Sequence, residues 1–290
     1  MRVHAISRIR LVCADLSTTA RFYQATLGFE RIGEGEIDAG RVVTLRLGNQ
    51  SIDLTEVRPH GHPYPDGVSG ANLLFQHFAI VVADMPSVYR QLLTQGGWTA
   101  ISSDGPQRLP PASGGVTAFK FRDPEGHPLE LLAFPDGSAP PQWRSRSACL
   151  FLGIDHSALS VADTARSVAF YKGLGFAVQH RSQNVGPEQD RLDGMTAVEV
   201  EVTALVAPVS PTPHIELLCY RDPHPVSIPL APNDIAATRL VFAAHEAAEF
   251  AAPCARQRLP VVPGSRMDKE LPSHVIARDP DGHLLLLAPH

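Results

Sequence analysis

The sequence predicts an α+β fold assembled from four βαβββ modules. Three observations carry that prediction. The segment Arg8 to Glu30 (RIRLVCADLSTTARFYQATLGFE) returns as His156 to Val178 (HSALSVADTARSVAFYKGLGFAV): an alternating strand ends in Ala-Asp, and a helix with Ala-Arg and Phe-Tyr closes at Leu-Gly-Phe. A closing segment, FRDPEGHPLELLAF from Phe121 to Phe134, returns as ARDPDGHLLLLAP from Ala277 to Pro289. Each half divides again, because His77 to Trp98 and, more weakly, Arg239 to Pro260 repeat the strand-to-helix grammar.

Taken in order, module one (residues 1–57) has its helix after Asp15 and short strands at VVTLRLG and SIDLTEV. The Pro/Gly-rich stretch Val57 to Gly70 separates it from module two (72–135). There Asp84 stands as an N-cap before an apolar face of Val88, Leu92 and Leu93, and strands follow at VTAFKFRD and LELLAF. Residues 138–151 lie in a Pro-rich polar linker between a first domain, 1–137, and a second, 152–290. Module three (152–221) offers strands at MTAVEVEVTAL and HIELLCY, with Asn184 to Gly194 read as a polar surface loop. Module four (235–289) offers a helix near Glu246 and strands at HVIARD and LLLLAP.

Composition bounds the function. A chain of 290 residues, 44% hydrophobic and 19% charged, is an ordinary globular protein with material for about two domains. Its formal charge of −5 and lack of a basic block exclude a nucleic-acid footprint or an anionic-membrane surface. No apolar run approaches the roughly 18 residues of a membrane span, and the N-terminus has no export signal. The expectation is a cytoplasmic monomer or homodimer whose partner is a small-molecule substrate. Cys13, Cys149, Cys219 and Cys254 are scattered and read as buried, reduced thiols.

The paired modules, the opening H-x-x-x-x-V-x-D strands and the closing DPxGHxLEL strand resemble the vicinal oxygen chelate superfamily, which includes glyoxalase I, bleomycin-resistance proteins and extradiol dioxygenases. The resemblance spans roughly residues 5–135 and 152–289. It implies two half-open mixed β-sheet barrels flanked by helices, with a divalent metal on a concave face and ligands from the first and last strand of each module. The first-strand places are Arg8, His77, His156 and Arg239, each seven residues before an acid at Asp15, Asp84, Asp163 or Glu246. The last-strand places are Asp53, Glu130, Glu216 and Leu286. Alternation puts His77, Ala79 and Val81 on one strand face, and the small neighbours Ala79 and Ala158 leave room beside each histidine.

Pairing in chain order would mix arginines into both sites, and a guanidinium repels a cation. Crossed pairing, as in fused glyoxalase I chains, instead joins module two to three and one to four. His77, Glu130, His156 and Glu216 then converge as metal ligands, and Arg8, Asp53, Arg239 and Leu286 form a disarmed counterpart. That ligand set suits Zn²⁺, Ni²⁺, Co²⁺, Mn²⁺ or Fe²⁺. The resemblance implies that Glu130 or Glu216 also serves as catalytic base, without choosing between them.

Three functions fit. They are a glyoxalase-like lyase or isomerase, an Fe(II) extradiol-type dioxygenase, and a non-catalytic binding or resistance protein. His127 and His283 read as turn residues after DPxG, and Asp53 as an ion partner of Arg8 or Arg239. His214 shares the strand face of Glu216, so it lines the pocket or opens to solvent at the strand start. Lys120 and Arg122 are expected on the solvent side of their strand.

Overall fold

The structure is a computed structural model that describes residues 3–37, 40–144, 149–244 and 275–289. Module one comprises β1 (Ala5–Cys13), α1 (Leu16–Leu27), β2 (Glu30–Ile37), β3 (Gly40–Leu47) and β4 (Gln50–Val57). Module two comprises β5 (Gln76–Val82), α2 (Met85–Thr94), β6 (Thr99–Ala100), β7 (Gln107–Arg108), β8 (Thr117–Arg122) and β9 (Pro128–Ala133). Module three has β10 (Phe151–Ser160), α3 (Thr164–Gly173), β11 (Ala177–Val185), α4 (Pro187–Asp193), β12 (Glu199–Val206) and β13 (His214–Asp222). Module four has β14 (Arg239–Ala244), β15 (Val275–Arg278) and β16 (Leu284–Pro289). The helix expected near Glu246, and Cys254 with it, lie outside the described residues.

Local chemistry sets the helix starts. Asp15 and Asp163 cap α1 and α3 by accepting from the amides of Thr18 and Arg166. Asp84 occupies the same place before α2 without a side-chain cap bond, and a proline in the first turn needs no amide partner there. Gly28 ends α1 in the left-handed conformation, with φ of 72°.

Two mixed sheets result, and the pairing is the crossed one. One has the order β15-β16-β14-β1-β4-β3-β2 and contains modules four and one; the other, β11-β12-β13-β10-β5-β9-β8-β6 with β7 beside β8, contains three and two. The joints are antiparallel, β1 with β14 and β10 with β5. On the helix side, Ile9 and Leu54, Phe78 and Leu131, Leu159 and Leu217, and Phe242 and Leu287 belong to one continuous core cluster. All four modules and both sheets share it, so the molecule buries its apolar strand faces together.

Helices and turns follow a different pairing from the sheets. Tyr23 of α1 donates 3.0 Å to Asp123 in the DPxGH turn of module two, whose Glu125 accepts from the amides of Ala14 and Asp15. Tyr171 of α3 likewise donates 3.0 Å to Asp279 in the turn of module four, and Ser167 donates to Asp281. His127 and His283 are therefore more than turn residues. Both are buried; the Nε2 of His127 donates to the carbonyls of Val12 and Ile235, and that of His283 to Ser160. A buried imidazole against a backbone carbonyl satisfies both partners and pins one module to the next.

Candidate metal centre

The register shows why residues far apart in sequence meet. In every module the residue two beyond the first-strand place lies opposite the last-strand place. The pairs are Arg10 with Asp53, Ala79 with Glu130, Ala158 with Glu216 and Val241 with Leu286. The β10–β5 joint sets Ala79 opposite His156 and His77 opposite Ala158, so each imidazole lies over a methyl group. His77 and His156 consequently face one another, ring centroids 5.7 Å apart.

His77, Glu130 and His156 are brought together within one small volume, all buried, with ligand atoms within 4.8 Å of one another. The Nε2 of His77 lies 2.8 Å from Glu130 Oε2, and that of His156 lies 3.9 Å from the same oxygen. Glu216 joins from the other carboxylate position, its Oε2 3.5 Å from His156 Nε2 and its Oε1 3.6 Å from His214. It is the more open of the two glutamates, with 24% side-chain exposure against 8%. Alongside them is a cavity of about 450 Å³, lined on one side by these groups and on the other by Leu109, Val116, Leu132 and Val202.

Asp155 is a site residue that strand-position reasoning missed. Its carboxylate accepts from Trp143 Nε1 at 2.7 Å and faces His156 Nδ1 at 3.2 Å. A carboxylate at Nδ1 fixes the imidazole's orientation and leaves Nε2 toward the glutamates. The signal in the sequence was the acid beside the histidine, but Trp143 comes from the linker and no periodicity connects it to the site. His214 lines the cavity, the first of its two readings.

Electrostatics follows from burial among these charges. Desolvation pushes the His77 pKa down despite its bond to Glu130. For His156 burial acts the same way, yet Glu216, then Asp155 and Glu130, overcome it and raise the pKa to about 9. Burial raises the two glutamates, but the His77 bond and the Lys120 charge hold Glu130 below the usual carboxylate range, and His156 and His214 hold Glu216 below it.

The donor set fits a divalent ion. His77 Nδ1 and His156 Nε2 are buried without a hydrogen-bond partner, and the second points between two carboxylates at 3.5 and 3.9 Å. Those separations exceed a hydrogen bond and match oxygen and nitrogen ligands sharing an ion at about 2.0–2.2 Å. Asp155→Asn is expected to lower metal affinity about 10–100-fold while leaving the fold intact; a competition titration against a chromophoric chelator reads this, and unchanged affinity would remove Asp155 from the site.

The counterpart in the other sheet is built differently. Asp53 is ion-paired to Arg8 at 3.4 Å and to Arg10 at 3.2 Å and accepts from Thr44. Arg239 is buried and donates to the carbonyls of Ala237 and Pro232, so it is not the partner of Asp53 among the contacts seen. Val12, Val57, Val241, Ile276 and Leu286 form an apolar cluster over this face.

Three expectations from the sequence are corrected here. Lys120 does not face solvent: it is buried, lines the cavity, and its Nζ lies 2.6 Å from Asp193. Phe119 and Phe121 take the opposite side, against Trp98. Residues 184–194 are not a plain surface loop, since α4 forms there and Gln189 and Leu192 line the cavity. Arg122 is held by the carbonyls of Gly126 and Val68 and stacks over Tyr64. Among the described cysteines Cys13 is buried, as expected, but Cys149 is exposed.

Residues 5–131 and 153–287 match the Glyoxalase/Bleomycin resistance protein/Dioxygenase superfamily. The chain belongs to that superfamily. Among solved structures, glyoxalase I from Zea mays is similar at 19% identity and a TM-score of 0.66, over 98% of this chain and 92% of that one. A candidate dioxygenase from Bacillus subtilis is similar at 13% identity and a TM-score of 0.61, over 99% and 86%. At such identities the superfamily likeness speaks for fold and leaves the reaction to the site. A search of curated proteins finds no match. Among the described residues no helix is long and apolar enough to cross a membrane.

Proposed function

We propose that this superfamily member is a divalent-metal-dependent, glyoxalase-like lyase or isomerase that moves a proton alpha to a carbonyl of a small vicinal-oxygen substrate. The observation that carries the reading is the meeting of His77, Glu130 and His156, with the unpartnered His156 Nε2 between Glu130 and Glu216. His77, Glu130, His156 and Glu216 are assigned as the residues that hold the ion. A divalent ion bound there supplies Lewis acidity toward a carbonyl oxygen and makes the adjacent C–H more acidic.

The protein's own groups divide the remaining work. Asp155 orients His156, and the hydrogen bond to His77 together with the Lys120 charge restrains Glu130. Glu216 is the more exposed glutamate, opens to the cavity, and has His156 and His214 at 3.5 and 3.6 Å where Glu130 has a 2.8 Å bond to His77. We therefore assign Glu216 as the base that takes the proton, with His214 placed to receive or return it. The apolar wall excludes water from the substrate's body.

The tight group of two histidines and one carboxylate also suits an Fe(II) extradiol-type dioxygenase, with Glu216 turned toward His214. Metal analysis with oxygen uptake separates the readings: nickel, zinc or cobalt without oxygen uptake supports the lyase, and iron with oxygen uptake supports the dioxygenase. Protein that takes up no metal under any loading overturns both. One ion per chain is expected, because Asp53, the carboxylate of the Arg8/Asp53/Arg239/Leu286 face among the described residues, is held by the guanidinium groups of Arg8 and Arg10. A second equivalent lost on Asp53→Ala would contradict this.

A further inference from the structure

The cross-strand neighbour of the last-strand ligand place can be compared in all four modules. It is Thr44 opposite Asp53, Lys120 opposite Glu130, Ala204 opposite Glu216 and Ile276 opposite Leu286. Three modules fold with a small polar or apolar residue there. Module two alone places an ammonium, so the fold does not require it.

A second departure from the repeat meets the first. In module one β2 and β3 are separated only by residues 38–39, whereas in module three β11 and β12 are separated by the segment that forms α4. This helix is fixed across the sheet to module two. Ser102 donates 2.8 Å to the Leu192 carbonyl, the Ser103 amide donates 2.8 Å to the Arg191 carbonyl, and Arg191 Nε donates 2.7 Å to Gln107. Its last residue, Asp193, receives Lys120 Nζ at 2.6 Å, Tyr220 Oη at 3.0 Å and Gln189 Nε2 at 2.8 Å.

The consequence is an ammonium held at a fixed place on the cavity wall. Among the described residues Asp193 is its one hydrogen-bond acceptor, while an ammonium has three donors. Burying a charged lysine is costly unless its donors are used, and an apolar pair of the same volume would pack as well. The ion pair therefore has a role beyond packing.

We propose that Lys120 is a specificity-determining residue whose free N–H groups receive an acceptor oxygen of the substrate. The substrate class is a small molecule with a vicinal oxygen pair, a carboxylate or further carbonyl within reach of Lys120, and an apolar body against Leu109, Val116 and Leu192. This rests on the metal-site reading for the vicinal oxygens only. Asp193, Tyr220 and Gln189 act as positioning residues, because they hold the ammonium and do not themselves receive the substrate oxygen.

The test uses catechol and 3,4-dihydroxybenzoate, which share a vicinal oxygen pair and differ in the carboxylate, titrated calorimetrically into full-length protein with and without zinc. Zinc-loaded wild type is expected to bind the carboxylate probe about tenfold more tightly than catechol, the scale of one hydrogen bond to a charged group. Lys120→Met combined with Asp193→Asn removes the ion pair without leaving a lone buried charge, and should abolish that preference, read as the ratio of the two affinities so that a change at Glu130 common to both probes does not enter. A double variant that keeps the preference, or wild type with no preference, overturns the role of Lys120; the wild-type ratio decides the matter if the variant does not fold. Zinc that leaves the binding of both probes unchanged overturns the metal reading instead, and the carboxylate preference measured without zinc still judges Lys120.

Discussion

His156→Ala is expected to release the ion and abolish turnover. The imidazole is the centre of the arrangement: its Nε2 lies 3.5 Å from Glu216 and 3.9 Å from Glu130, and its Nδ1 is turned toward Asp155. Truncation removes a nitrogen ligand and leaves three carboxylates around the space, a harder and more anionic set that favours Mg²⁺ or Ca²⁺ over borderline ions. The loss of affinity should exceed the roughly 10–100-fold expected for the outer partner Asp155. His77→Ala should act in the same direction. Metal content after dialysis checks both, and a His156→Ala protein that retains a full equivalent would remove this residue from the ligand set.

Glu216→Gln is expected to keep most of the metal and to lose turnover by roughly 10²–10⁴-fold, the range for a general base. Glutamine keeps the volume and one possible oxygen ligand but carries no basic carboxylate. Glu130→Gln should behave differently, because Glu130 is fixed by a 2.8 Å bond to His77 and lies beside the Lys120 charge. Its replacement should chiefly lower metal affinity. The pair of variants gives a clear inversion test: if Glu130→Gln retains metal and loses turnover while Glu216→Gln loses metal, the two assigned roles are exchanged. If both retain full activity on a substrate that wild type turns over, neither carboxylate is the base.

The fold was legible because a module repeated four times displays its own register. The strand spacing that placed His77 and His156 seven residues before the acid at the head of a helix also placed their cross-strand neighbours. Crossed pairing could be preferred from the sequence because only one partition gathers the histidines away from Arg8 and Arg239. What the repeat could not display are the residues that depart from it. Lys120 looked like an outward residue because phenylalanines flank it, yet the helix side claims the phenylalanines and leaves lysine to the cavity. Helix α4 has few apolar residues, so its polar face resembled a loop, and its position depends on bonds from Ser102 and Ser103 in another module. Trp143 acts on Asp155 from the linker, where no pattern of spacing reaches.

The two pairing schemes have a consequence for how the chain can diverge. Sheets join module one to four and two to three, while the Tyr23–Asp123 and Tyr171–Asp279 bonds join one to two and three to four. The modules thus form a closed cycle in which each neighbour relation differs in kind from the next. Neither half of the polypeptide owns the candidate site; ownership is divided across the β10–β5 seam. A half-length ancestor would meet the same condition only by associating with a copy of itself, producing two equal pockets. Once the halves are covalently joined, that equality is no longer enforced, and one pocket is at liberty to fill with valine and leucine while the other keeps its imidazoles.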